Sequence, residues 1–455
     1  MIEFIVSVVA FLAAIAILVA VHEWGHFIVA RMVGVKVLRF SIGFGRPIWT
    51  RQAGPDETEY CLSAIPIGGY VKMLDERVDD ISAEDLDKTL NSKPIPARIA
   101  ILLAGPGFNF LFTILAYWCM FMIGVPGAKP VIGSVIDPSI AAEAGLMAGD
   151  RVVRVGDRAV VTWEGTVVAM LDEMLSVGDI ALRVEDTEGK QRSIILSTAG
   201  KSSELTEPGR LFSGIGIETW SPVLLPVIDK VSLGGSADAA GLQTGDEILE
   251  ADGVPIGTWS AWVDYVRARP SQEVRIAVLR GQERLDLTIT IGRVVEGDET
   301  IGRIGASVKV PADLFSEMSA EQKYNPFEAL PVALVKTWDM IGLTVRMVGS
   351  MVVGDVSIKN ISGPINIAQY AGMSASIGFV PFLNFLAIVS ISLGILNLLP
   401  IPMLDGGQIL YQLIEVAKGS PLSERFQMIG QQVGIFALLL LMSFAFYNDL
   451  SRIFG

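Results

Sequence analysis

The sequence predicts a polytopic α-helical membrane protein with four spans and an acidic soluble insert. Three observations carry this reading. Hydrophobic residues make up 51% of the 455-residue chain and charged residues only 18%, with a mean hydropathy of +0.51; a typical soluble domain is about one-quarter charged. Four runs, 4–21, 99–125, 379–400 and 428–447, carry essentially no charge, and such lengths begin or complete a bilayer crossing. The net charge of −14 is local, because residues 127–325 hold 30 acidic and 19 basic residues. This composition excludes a disordered chain and argues against an ordinary soluble enzyme. The acidic balance speaks against a nucleic-acid partner. Two cysteines, Cys61 and Cys119, make no disulfide framework and leave the compartment open.

No Lys or Arg precedes the 4–21 run and no small-residue cleavage site follows it, so it reads as a retained span. Residues 327–353 are apolar but carry Glu328, Lys336, Asp339 and Arg346. They read as an amphipathic segment at an interface. Arg31, Lys36, Arg39, Arg46 and Arg51 stand in 31–51 without an acid, which makes that side cytoplasmic. Alternation then places the N-terminus, 127–378 and the C-terminus outside and 401–427 inside. A crossing by 327–353 would invert everything after it.

The insert repeats itself at an offset of 96 residues. VIGSV at 131–135 matches VIDKV at 227–231, AAEAGLMAGDRVV at 141–153 matches ADAAGLQTGDEIL at 237–249, and Trp163 falls on Trp259. Each copy reads as a strand, a short helix ending at Gly-Leu, a Gly-Asp turn and an apolar strand. Each closes on a glycine-rich strand, SGIGI at 213–217 and GRIGA at 302–306. The Ala-Gly-Leu-x-x-Gly-Asp signature, present twice, resembles that of bacterial PDZ domains. The resemblance implies that peptide C-termini or extended peptides add to a sheet edge there; a PDZ fold that binds no peptide is the alternative.

The chain has two histidines, four apart in His22-Glu23-Trp24-Gly25-His26. On a helix they share a face, so both imidazoles can hold one ion with Glu23 beside it. A surface helix can carry the same residues by accident. Here they extend an apolar run, where ionisable groups are by default functional. Zinc takes about three protein ligands and a water, and a carboxylate is a suitable third. Bound zinc brings the pKa of that water towards ~7, where a glutamate can take its proton. Asp405 is the candidate third ligand. It follows Pro400 and Pro402, just past the cytoplasmic end of the 379–400 span and so at the depth of His22 and His26. Alone it would read equally as an acid in a helix-end turn. Broken helix at that depth is tolerated where it lines a cavity.

His22-Glu23-x-x-His26, Gly105-Pro106-Gly107-Phe108-Asn109 and Asn397-x-x-Pro400-x-Pro402-x-Leu404-Asp405-Gly406 together resemble the site-2 protease family of intramembrane zinc metalloproteases. With the tandem PDZ pair between the second and third spans, the match covers nearly the whole sequence. It implies Zn2+ as cofactor, His22, His26 and Asp405 as its ligands, and Glu23 as general base and acid. Asn397 is similar to a family position that handles unwound substrate backbone; capping a broken helix is its other reading. Residues 35–73 alternate like strands, punctuated by Gly43, Gly45, Gly54-Pro55 and Gly68-Gly69. In the family this looks like a β-hairpin region dipping into the membrane, whose edge at Gly69 and Tyr70 would hold substrate as an added strand. A cytoplasmic sheet without a substrate role is the alternative. Residues 354–368 suggest no mechanism beyond the family's implied role in substrate access.

These readings divide the protein into a first span with the His-Glu motif (1–34), a β-hairpin region and linker (35–98) and a second span (99–126). PDZ domains (127–221 and 222–310) and an interfacial segment (311–378) follow. A third span with Leu-Asp-Gly-Gly (379–407) precedes a cytoplasmic loop and the fourth span (408–455). The expected function is intramembrane zinc endopeptidase of the bacterial inner membrane, cutting the transmembrane segments of single-span proteins within the lipid bilayer. The resemblance implies a trimmed anti-sigma factor in envelope stress signalling, and remnant signal peptides as a second substrate class. The rivals are an intramembrane zinc transporter and an inactive PDZ scaffold. The first would need ion sites along a path, yet the other spans offer almost no ligands. Intact Glu23 and Asp405 disfavour the second.

Overall fold

A computed structural model describes residues 2–76, 85–296, 299–311, 318–420 and 422–454. Residues 77–84 of the 35–98 region, 297–298 of the 222–310 domain and 312–317 of the 311–378 segment lie outside them. The first helix, α1, runs unbroken over Ile2–Met32, so the histidine motif continues the apolar run without a joint. Gly25 is needed there: a Cβ would stand 2.3 Å from the Ala104 carbonyl oxygen of the second long helix. Strands β1 (Val37–Ala53) and β2 (Thr58–Met73) follow. Both bend, because Ser41 pairs with Tyr70 and with Cys61 while Arg51 pairs with Tyr60. The result is four antiparallel segments with 69–73 on one edge. Gly43, at φ +92°, makes the bend in β1, where L residues with a side chain are strained. Helix α2 spans Ile95–Ile123 with Pro106 inside. It starts earlier than the apolar run because Pro94 and Pro96 mark its first turn.

The repeat becomes two units of one plan. The first contains α3 (Ile140–Glu143), α4 (Trp163–Val177), α5 (Ser202–Leu205) and α6 (Arg210–Ile215). The second contains α7 (Ser236–Ala239) and α8 (Trp259–Arg267). In the first, a four-stranded antiparallel sheet runs 158–159, 151–155, 180–185, 191–196; in the second, 254–255, 247–251, 273–280, 283–290. Equivalent threonines start the two main helices: the Thr162 hydroxyl accepts from Gly165 N (3.3 Å) and the Thr258 hydroxyl from Ala261 N (3.1 Å), as N-caps do. The Gly-Asp turns match as well. Asp150 accepts from Met147 N and pairs with Arg192, and Asp246 accepts from Gln243 N (2.9 Å) and pairs with Arg280 (2.8 Å). The expected closing strands need correction. Ser213–Ile215 end α6, and Gly216 is its left-handed cap at φ +85°. The strand is Ile217–Thr219, paired with Ile132–Val135; in GRIGA, Gly302 and Arg303 end one strand, Glu299–Arg303, and Ala306 starts the counterpart, Ala306–Val308.

Helix α9 (Pro326–Val353) buries Ala329 and Ala333 in a cluster with Ala116, Tyr117 and Ile391. Its charges turn to the first unit: Lys336 meets Glu164 (3.4 Å), Asp339 meets Arg158 (3.2 Å), and Arg346 meets Asp172. Helix α10 (Pro364–Ile377) leads to α11 (Phe379–Leu398), α12 (Asp405–Lys418) and α13 (Glu424–Phe454). Among the described residues four helices are long and apolar enough to cross a membrane, within α1, α2, α11 and α13. Two features depart from expectation. The third span ends at Leu398, and Leu-Asp-Gly-Gly opens a separate helix in what reads as loop. Gly406 and Gly407 permit this, since a Cβ on either would stand 2.2 or 2.1 Å from the Leu398 and Ile401 carbonyl oxygens. The other is a clamp on 358–366. The Asp449 carboxylate of α13 accepts from Gly363, Ile365 and Asn366 N–H (2.9, 2.9 and 3.1 Å), and Asn448 donates to Ile358 and Ile361 carbonyls. Asp449 thus caps the positive end of α10.

Candidate metal centre

His22 and His26 lie one turn apart on α1 and are buried at 9% and 8% exposure. Their Nε2 atoms stand 3.2 Å apart, and Asp405 Oδ2 is 3.3 Å from one and 3.5 Å from the other. The centre of that triangle is about 1.9 Å from each corner, and zinc binds nitrogen and carboxylate oxygen at about 2.0–2.2 Å. Among the described residues, His22, His26 and Asp405 are the one such metal-ligating group. Asp405 Oδ2 is buried and makes no hydrogen bond. Three lone-pair atoms converging without a donor are the arrangement a cation completes. The residues fit zinc.

Each ligand is held by something the motif does not contain. His26 Nδ1–H donates to the Ile101 carbonyl (2.8 Å), which leaves Nε2 free for a metal. The Asn109 carboxamide nitrogen is 3.1 Å from His22 Nδ1, and its oxygen is buried without a partner. Turning the amide over gives that oxygen the Nδ1–H and frees His22 Nε2 for the ion. Gly105 makes room, since a Cβ there would lie 2.3 Å from His26 Nε2. Asp405 is anchored through α12, whose Glu415 pairs with Arg98 at the start of α2 (2.8 Å).

All seven residues predicted from sequence line one cavity of ≈ 410 Å³: His22, Glu23, His26, Gly69, Tyr70, Asn397 and Asp405. Glu23 faces the β2 edge. A Cβ on Gly69 would meet the Glu23 Cγ at 3.3 Å. Asn397 donates to the Leu393 carbonyl (3.0 Å) in its own helix and lines the same cavity. Arg98, Gln408 and Gln412 line the cavity too. Sequence reasoning passed over these three, and it named Asn109 within the Gly105–Asn109 motif without a role, although a polar residue in an apolar span marks one.

The model of peptidase family M50 matches residues 10–441. The chain belongs to peptidase family M50. This M50 protease is 40% identical over 456 residues, the full length of both proteins, to "Regulator of sigma-E protease RseP" of Escherichia coli (strain K12). It is 41% identical over 449 residues, 98% of each protein, to "Putative zinc metalloprotease" of Vibrio cholerae. A putative zinc metalloprotease of Neisseria meningitidis is 38% identical, covering 99% of this chain and 100% of its own. The M50 protein is therefore a zinc metalloprotease of the site-2 type, acting in regulated intramembrane proteolysis. The transporter and scaffold readings fall away.

Proposed function

We propose that His22, His26 and Asp405 hold the catalytic zinc and that Glu23 is the general base and acid of peptide hydrolysis inside the membrane. The single observation behind this is the triangle of three converging ligand atoms with Glu23 beside it. When bound, zinc supplies Lewis-acid activation of water and of the scissile carbonyl. Glu23 takes a proton from the hydrolytic water on its carboxylate and returns it to the leaving amide nitrogen. The hydrogen bonds to Ile101 and Asn109 keep both imidazoles oriented while this happens.

A helical substrate shields its own scissile carbonyls, so it must unwind first. Its freed backbone groups need partners inside the bilayer. The edge at Gly69–Tyr70 beside Glu23 supports pairing as an added strand, and Asn397 faces it from the other wall. The substrates are single-span membrane proteins of the inner membrane, of the trimmed anti-sigma type, and remnant signal peptides. Positive residues at 31–51 support a metal centre near the cytoplasmic face and two PDZ domains outside. There the domains would exclude intact ectodomains and bind peptide C-termini.

The test is cleavage of model transmembrane substrates by purified, metal-analysed protein. Zinc-dependent cuts within the apolar segment are expected, and they should vanish in Glu23→Gln. Cuts confined to soluble flanks would overturn the reading.

A further inference from the structure

Three buried polar atoms without a hydrogen-bond partner belong to residues lining the metal-centre cavity: Asp405 Oδ2, Gln412 Oε1 and Arg98 Nε. A bound cation accounts for the first. The other two are an acceptor on α12 and a donor on α2. Unsatisfied buried groups are rare and call for an occupant. A peptide unit, with one N–H and one C=O, is the complement of that pair.

The placement fits an extended peptide. Asp405, Gln408, Gln412 and Glu415 recur at spacings that keep them on one face of α12, so a polar stripe leads away from the metal ligand. Helical rise puts Gln412 about 10 Å from Asp405 along the axis, the length of roughly three residues of strand. Arg98 is fixed there because its Nη atoms already hold Glu415 at 2.8 and 3.4 Å, leaving Nε–H to serve something else. Gln408 is committed, its amide donating to the Pro402 carbonyl (3.0 Å).

We propose that Gln412 and Arg98 are substrate-binding residues: the Gln412 carboxamide oxygen accepts a backbone N–H of the substrate, and Arg98 Nε–H donates to one of its backbone carbonyls, about three residues from the scissile bond. This rests on the cavity being the proteolytic site. The pair selects for substrates already unwound at that point, since a helix keeps those groups for itself.

The test uses the full-length zinc-loaded protein and a transmembrane peptide carrying amide-to-ester substitutions one position at a time, which delete single N–H groups. Gln412→Ala and Arg98→Lys, the latter keeping a cation for Glu415, should each lower kcat/KM about fivefold, the size of a lost hydrogen bond, with zinc content and Tm unchanged. One ester position should cost the wild type a similar factor and cost Gln412→Ala nothing further. If Gln412→Ala disturbs folding, Gln412→Met keeps the length without the amide and serves in its place. Ester effects that stay additive with Gln412→Ala at every position would overturn the proposal. So would variants that lower Tm but leave kcat/KM within twofold, the behaviour of a water-bridged structural pair. Failure of the site reading itself shows differently, as cleavage by Glu23→Gln.

Discussion

Buried carboxylates occur both in the repeat units and at the metal centre, and their surroundings differ in kind. In the second unit Asp246 is 0% exposed, yet it accepts from Gln243 N and holds Arg280 twice. Asp449 on α13, also buried, accepts three backbone N–H groups. Asp405 Oδ2 has two imidazole nitrogens for neighbours and no hydrogen bond. A carboxylate satisfied by its own protein holds the fold; one left unsatisfied awaits something from outside. The distinction lies in the partners each buried oxygen has, since Asp246 and Asp449 are buried whole and Asp405 at its Oδ2.

The comparison breaks most visibly at Glu23. Glu23→Gln should bind zinc as the wild type does and lose cleavage by at least about a thousandfold, within the range for a lost acid–base group. Turnover near the wild-type rate would sink the mechanism. Asp405→Ala should weaken zinc binding by at least about a hundredfold, more than loss of a supporting contact does, along with activity. Asp246→Ala should leave zinc untouched and destabilise the second unit by about 2 kcal/mol, because a buried charged hydrogen bond is lost. Thermal melts and metal analysis on both variants separate the two roles.

Deleting 130–309 behind a short linker tests whether the repeat units touch the chemistry at all. Substrates with attached ectodomains should become cleavable, and Glu23→Gln in the same deletion should stay inactive. Since α9 would lose Asp172 and Arg158 as partners for Arg346 and Asp339, zinc content is the control for intact helices. A zinc-loaded deletion that still refuses long substrates would contradict the gatekeeper role.

The smallest effect is one of pH. Burial pushes the Asp246 carboxyl up, but Arg280 and the Gln243 N–H outweigh it and hold the group below the usual range. A depressed folded pKa stabilises at pH above the unfolded value near 3.9, and that contribution is lost as pH falls through the lower folded value. The second unit should therefore loosen below about pH 4, and Asp246→Ala should flatten that limb of its melting curve.

Much of this was legible in local pattern. The apolar runs, the His22–His26 spacing and the 96-residue repeat each sit within one element or its copy, and the structure brings all seven predicted residues to one cavity. What escaped depends on distant partners. Helix α12 was hidden because Pro400, Pro402, Gly406 and Gly407 read as a break, while its glycines serve close packing on the preceding loop. Arg98 and Glu415 are 317 positions apart, and the clamp of Asp449 on Gly363 spans 86; no periodicity connects such pairs. Ser213–Ile215 read as strand because Gly216 looked like part of one, whereas it caps a helix.

The central claim is that the unsatisfied oxygen of Asp405 is a zinc ligand, and zinc K-edge absorption with metal counting on wild type and Asp405→Ala tests it most directly. The wild type should hold one zinc per molecule with two imidazole nitrogens and a carboxylate oxygen at about 2.0–2.2 Å, and Asp405→Ala should lose most of its metal under the same buffer. Full zinc occupancy in Asp405→Ala with an unchanged spectrum would contradict it.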